Sequence, residues 1–323
     1  MSAGSLVELA LKAQSCTQQE LARRLGVSAT QVSKWKKGDY MSSDMESKLR
    51  ELTNIGDRDP EFLLWVGSIE EAEKWENLIH YLATNAKDSE ETGYDTYPLD
   101  DDLGLLTWQT LRLLMDAGME LPKRVPAEIC VDFSKIDNDE VSDEESENMR
   151  GLLFEKNPYS RTIYSLFLAL NNIWGFYYAF MYDMFNDDEL DLTETDACEI
   201  EYNLLDLAVC KIDGHFNDVN KFNKFKKTTL DNFEKWISIV KMKAFKTGAP
   251  LRAELLELIT STHAELGEQA EAESLGLNSR RLHPDVYMNE ILCNLRLIHQ
   301  VLPTIMKKLD IDFEVDRSAF YVE

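Results

Sequence analysis

Three times in quick succession a hydroxyl residue stands three positions before a Glu or Gln: Thr17 before Glu20, Ser28 before Gln31, and Ser43 before Glu46. In this pattern the hydroxyl accepts the backbone N–H at the third helical position, and the acid or amide reaches back to the cap's own N–H. Each pair opens a run of helical apolar periodicity, so three short helices are expected. A further helix is expected before them, from about Ser5 to Ala13, with Leu6, Leu9 and Ala10 on one face. Gly26, between Leu25 and Val27, separates the second helix from the third, because glycine takes the left-handed backbone that turns a chain sharply. Leu21, Ala22, Leu25, Val32 and Trp35 then form the apolar set where the two helices cross. Ala29, Thr30, Ser33, Lys34 and Lys37 are left facing outward.

Charge separates this segment from the rest. Residues 1–52 hold eight Lys or Arg against six acids, a balance of +2, while the whole chain of 323 residues carries −25. The remainder therefore stands at −27, and such asymmetry points to two modules with different partners. A small, polar, basic face on a short helix suits entry into the major groove of DNA. An acidic body would be repelled by that same ligand.

The stretch TQQELARRLGVSATQVSKWKKGDY, residues 17–40, resembles the helix-turn-helix of the phage-repressor and Cro-like (XRE) family. The likeness covers Thr17, Gln18, Glu20, Leu21, Ala22, Leu25, Gly26, Val27, Ser28, Val32, Trp35 and Gly38. It implies a lambda-repressor-like domain over residues 1–56 and double-stranded DNA as its partner. It also implies roles by position. Gln18 and the backbone N–H groups near Ser28 would hold phosphate. Ala29, Thr30, Ser33 and Lys34 would face the bases, with Lys34 donating to guanine and Ala29 and Thr30 touching a thymine methyl. Lys36, Lys37 and Tyr40 would grip the backbone. Gln31 is left between a capping role and a base contact, and Arg23 and Arg24 between phosphate contact and plain solvation.

Beyond residue 57 the expectation is a larger acidic helical region, which makes the whole chain mainly all-α. Helices are expected over 68–86, opened by Ser68 and Glu71, and over 103–118, 158–186, 193–212, 217–246, 250–266 and 284–308. The organisation expected is a connecting region at 57–134, an acidic mobile loop at 135–150, and a helical domain at 151–323 for dimerisation or sensing. EICVDFSKID and LDIDFEVD alternate apolar and polar residues and read as two short strands forming one β-hairpin. The basic stretch 220–236 reads as an internal partner for acidic loops. The uncharged, aromatic segment 162–182 is long enough for a bilayer, but Asn171 and Asn172 at its centre favour a buried core helix. A dimer seam and a ligand pocket stay open for it.

Little here points to catalysis, and no enzyme, metal or cofactor is expected. Glu76 and His80 lie one helical turn apart without a second His, and Asp213, His215 and Asp218 lack the later Glu of a calcium loop. Five scattered cysteines without a CxxC pair fit a reducing cytosol, so a cytoplasmic protein is expected. The leading functional reading is a dimeric, sequence-specific transcriptional repressor. The alternative is an antitoxin or phage-defence component that binds a protein partner through its acidic region and regulates its own gene.

Overall fold

The computed structural model describes residues 3–101, 104–133, 142–278 and 284–310. Among the described residues the regular structure is helical and no strand forms. Five helices make the N-terminal part: α1 (Ala3–Ala13), α2 (Gln18–Leu25), α3 (Ala29–Lys36), α4 (Ser43–Thr53) and α5 (Pro60–Val66). Leu6, Val7 and Ala10 of α1 are buried with Leu21, Ala22, Val32, Trp35 and Leu49, which closes a small core behind α2 and α3.

The three N-terminal caps differ. Thr17 forms the full reciprocal box with Glu20. Ser28 accepts the Gln31 N–H at 3.1 Å, but the amide does not return the bond. The box expected at Ser43 is absent: Ser42 is the cap residue, without a side-chain bond. Glu46 is instead drawn to Arg50 one turn on, at 3.0 Å, and Arg50 also donates to the carbonyls of Gly56 and Arg58. A salt bridge with this added backbone anchoring outcompetes the reach back to a cap.

The larger part begins with α6 (Ile69–Asp88) and α7 (Leu106–Asp116). It continues through α8 (Asp143–Gly151), a π-helical turn at Leu152–Lys156, α9 (Pro158–Phe180) and α10 (Tyr182–Phe185). The remaining helices are α11 (Glu199–Tyr202), α12 (Leu204–Cys210), α13 (Val219–Thr247), α14 (Glu257–Thr260), α15 (His263–Ser274) and α16 (Pro284–Leu309). The centre is α9, which packs against α6, α12 and α15. Leu166, Phe167, Leu170, Ile173, Phe176 and Tyr177 are buried along it, each such side chain giving about 1.5–3 kcal/mol of hydrophobic stabilisation.

The segment 162–182 is therefore core, and its buried residues are covered from within the chain rather than left as a dimer seam. Its central amides also have partners: Asn171 Nδ2 donates to the Ala86 carbonyl at 2.6 Å, and Asn172 meets His263 Nδ1 at 3.0 Å. Gly175 lets Thr92 approach so closely that an added Cβ would sit 2.6 Å from its hydroxyl oxygen. Among the described residues no helix is long and apolar enough to cross a membrane.

The two parts are joined through α5 and share one continuous apolar core. Phe62 stacks on Trp108 at 5.7 Å, Ser5 donates to Glu61 at 3.1 Å, and Arg58 forks onto Glu76 at 2.7 and 2.9 Å. Glu76 is thus taken by an arginine, and His80 pairs with Asp101 at 3.1 Å. Asp218 caps α13.

Several expectations are corrected. Residues 143–151, at the end of the acidic stretch, are helix α8, opened by a Ser142–Glu145 capping box, not loop; residues 134–141 lie outside the described ones. No strand forms at 128–133. Ala127–Ile129 is a 3-10 turn, and Phe133 stacks on Tyr81 at 4.4 Å. The second expected strand lies, beyond Asp310, outside the described residues. The helix expected over 250–266 is broken, because Thr262 and Glu265 form a fresh capping box that starts α15. In the basic stretch, Lys221 Nζ donates to the Met115 carbonyl at the end of α7, where the helix dipole favours a cation, not to an acidic loop.

Candidate nucleic-acid interface

The turn between α2 and α3 is built on Gly26, whose φ of 71° is the left-handed conformation expected for it. Its N–H reaches the Ala22 and Arg23 carbonyls, and the Val27 N–H reaches Ala22 at 3.0 Å, so α2 ends abruptly. Ser28 then starts α3 within two residues. On the inner side of α3, Val32 and Trp35 are buried. At the far end, Trp35 Nε1 donates to the Tyr40 carbonyl at 3.1 Å, and Gly38 turns the chain at φ 92°. This pins the loop after α3 to the core while the Tyr40 ring stays 86% exposed.

The predicted contact residues fall into two groups. Ser28, Ala29, Thr30, Lys34, Lys36, Lys37 and Tyr40 are exposed, whereas Gln18 and Ser33 are half-buried. Gln18 is the first residue of α2, beside its unpaired backbone N–H groups. Along α3 itself there is no carboxylate: the helix reads ATQVSKWK. Glu20 is the nearby acid on α2. The Thr17 backbone and side-chain hydrogen bonds hold its carboxyl below the usual range, so its charge is spent on the cap.

Two ambiguous residues are placed by the structure. Arg24 donates to Gln14 at 2.6 Å, and Gln14 donates to the Leu52 carbonyl at 2.8 Å, so Arg24 helps tie α2 to the ends of α1 and α4. Arg23 is exposed. The spacing leaves Gln31 between a reciprocal cap and a base contact. Because the return bond of such a cap is absent, its half-buried side chain is not committed to the cap. Spacing alone could not reveal this, since Ser-x-x-Gln is the same string whether one bond or two forms.

Residues 7–47 match a family model described as helix-turn-helix. No curated protein and no solved structure matches the chain. The matched span runs from the middle of α1 into the first half of α4, which includes the whole α2–turn–α3 unit and most of its supporting core. The N-terminal module of this protein is a helix-turn-helix domain of the phage-repressor and Cro-like kind.

Proposed function

We propose that the protein is a sequence-specific DNA-binding transcriptional regulator, acting as a homodimeric repressor in the cytoplasm through binding rather than catalysis. One observation carries this reading: α3 presents Ala29, Thr30 and Lys34 on an exposed, acid-free face, held rigid by buried Val32 and Trp35. In the major groove Lys34 would donate to guanine, and the Thr30 methyl and Ala29 would meet thymine. Ser33 and Gln31 flank them. Gln18 and the N–H groups at the starts of α2 and α3 would hold phosphates, with Lys36, Lys37 and Tyr40 gripping further along. One such module covers little DNA, so two related by a dyad would read half-sites about 34–36 Å apart.

The charge of −27 beyond residue 52 has a use in this scheme. It penalises every approach to DNA except the one led by the basic face, which suppresses non-specific adhesion. Occupying an operator would repress by excluding other proteins from it.

The test is equilibrium binding of labelled duplexes over a salt series. The wild-type protein should lose affinity steeply with added salt and prefer one sequence class. Thr30→Ala/Lys34→Ala should lose about 1–3 kcal/mol for each base contact removed and bind different sequences more equally. Equal sequence preference in the variant and the wild type would sink the assignment of α3 as the reader.

A further inference from the structure

The last helix, α16, spans 26 residues and packs on the rest of the protein chiefly through α13. Ile291, Leu295, Ile298, Leu302, Ile305 and Leu309 recur along it at alternating spacings of four and three, the seam of a helix that pairs with another helix. The seam is uncovered: Leu295 is 55%, Ile298 54%, Leu302 48% and Leu309 64% exposed. Apolar side chains on and beside it expose roughly 600 Å² per chain, or about 1,200 Å² for two copies, which exceeds the ~1,000 Å² a specific interface needs. A long helix gains little stability from propensity alone and normally relies on a packed apolar face. Pro303 adds to this need, since it removes one backbone donor inside the helix.

We propose that α16 is the dimerisation helix, pairing antiparallel with α16 of a second copy. This deepens the dimeric reading given above and names the element that makes the dimer. Three features favour a second copy and this orientation. First, α16 carries Asp285, Glu290, Arg296, Lys307 and Lys308, a local +1, so two acidic bodies can meet here without local repulsion. Second, its lysines lie in the last turn, so antiparallel pairing keeps Lys307 and Lys308 of the two copies at opposite ends and sets opposite helix dipoles side by side. Third, Leu and Ile alternate in the order that disfavours a parallel two-stranded pair. An antiparallel register fills the whole seam, setting Ile291 against Leu309, Leu295 against Ile305, and Ile298 against Leu302. Each layer is repeated by the twofold axis, which closes the assembly at two chains.

The full chain should run as a dimer in light scattering, and Ile298→Glu/Leu302→Glu should run as a monomer whose bundle around α9 still melts cooperatively, because both side chains are already exposed. In a Cys293→Ser background, Leu295→Cys/Ile305→Cys should cross-link two chains on oxidation, while each single cysteine variant should not. A wild-type monomer at micromolar concentration, or a dimer that survives the paired glutamates, overturns the proposal. So does cross-linking of the single variants, which would mean a parallel pair, or a seam filled by a different protein. DNA binding is scored separately: a dimer through α16 that ignores DNA sinks the proposed function and leaves the pairing, and a monomer that binds DNA sinks the pairing and leaves α3 as the DNA reader.

Discussion

Two long helices, α9 and α16, contain similar apolar residues and meet opposite fates. α9 carries them around most of its circumference and buries most of them against α6, α12 and α15, with only Arg161 exposed and a narrow face from Tyr164 to Tyr178 half-buried. In α16 they form a stripe, and that stripe faces solvent. An all-round apolar helix must be the centre of a bundle, whereas a striped one needs only a single neighbour. The amount of hydrophobic surface is thus a poor guide to where a helix sits. Its angular distribution decides between core and seam.

The largest effect that separates the two helices comes from matched truncations. Phe167→Ala in α9 should cost about 3–5 kcal/mol in chemical denaturation, since the ring is fully buried and leaves a cavity. Ile298→Glu in α16 should change the stability of the single chain by no more than about 0.5 kcal/mol. It should act on association alone. A large loss of monomer stability from Ile298→Glu would erase the distinction between core and seam.

A smaller effect sharpens the account of α9. Gly175→Ala drives a methyl to 2.6 Å from Thr92 Oγ1, so the loop carrying Thr92 must give way. The expected cost is about 1–3 kcal/mol, as for other overpacked cores. Thr92→Ala with Gly175→Ala removes the crowding hydroxyl and methyl and should recover part of it. No recovery in that pair would mean the glycine serves another purpose.

Much of the N-terminal module was legible because its determinants are local. Thr17 and Glu20, Gly26, and the buried Leu21, Val32 and Trp35 all act within a few residues of one another. The Ser43 box misled because Glu46 had a rival in Arg50, which is bound in turn to the turn at Gly56. Arg24 was not legible because Gln14 comes from another helix. The break at Thr262 and the helix at 143–151 carry the same Ser/Thr-x-x-Glu signal as Thr17, and that local signal outweighs acidity and segment length. The alternation in EICVDF mimicked a strand, yet it reflects a segment laid across α6 with Ile129 buried and Phe133 on Tyr81. Of the DNA-contact residues, exposure follows from helical phase, but the freedom of Gln31 required the structure.

The smallest effect concerns pH and lies near neither helix seam. The hydrogen bond that His80 donates to Asp101 raises the pKa of His80, and despite its burial that of Asp101 is lowered by this bond and by those from the Leu106 and Leu105 N–H groups. His80 therefore stabilises the fold below its ordinary 6.5, and this is lost as pH rises through its raised value. Asp101 stabilises above its ordinary 3.8, and this is lost as pH falls through its lowered value. The pair is fully effective between those two ordinary values. Asp101→Asn, which can still cap Leu105 and Leu106, should flatten the stability profile across the His80 titration in urea melts at stepped pH. An unchanged profile would remove the pair from the account, and α16 association should be indifferent to the substitution.

The central claim is that α3, presented twice, reads DNA. Genomic footprinting of the wild-type protein beside Thr30→Ala/Lys34→Ala tests it most directly. The expected result is protection of a limited set of sites, each with two half-sites about one DNA turn apart, and loss or redistribution of that protection in the variant. Protection of the same sites with equal strength by both proteins would contradict the claim.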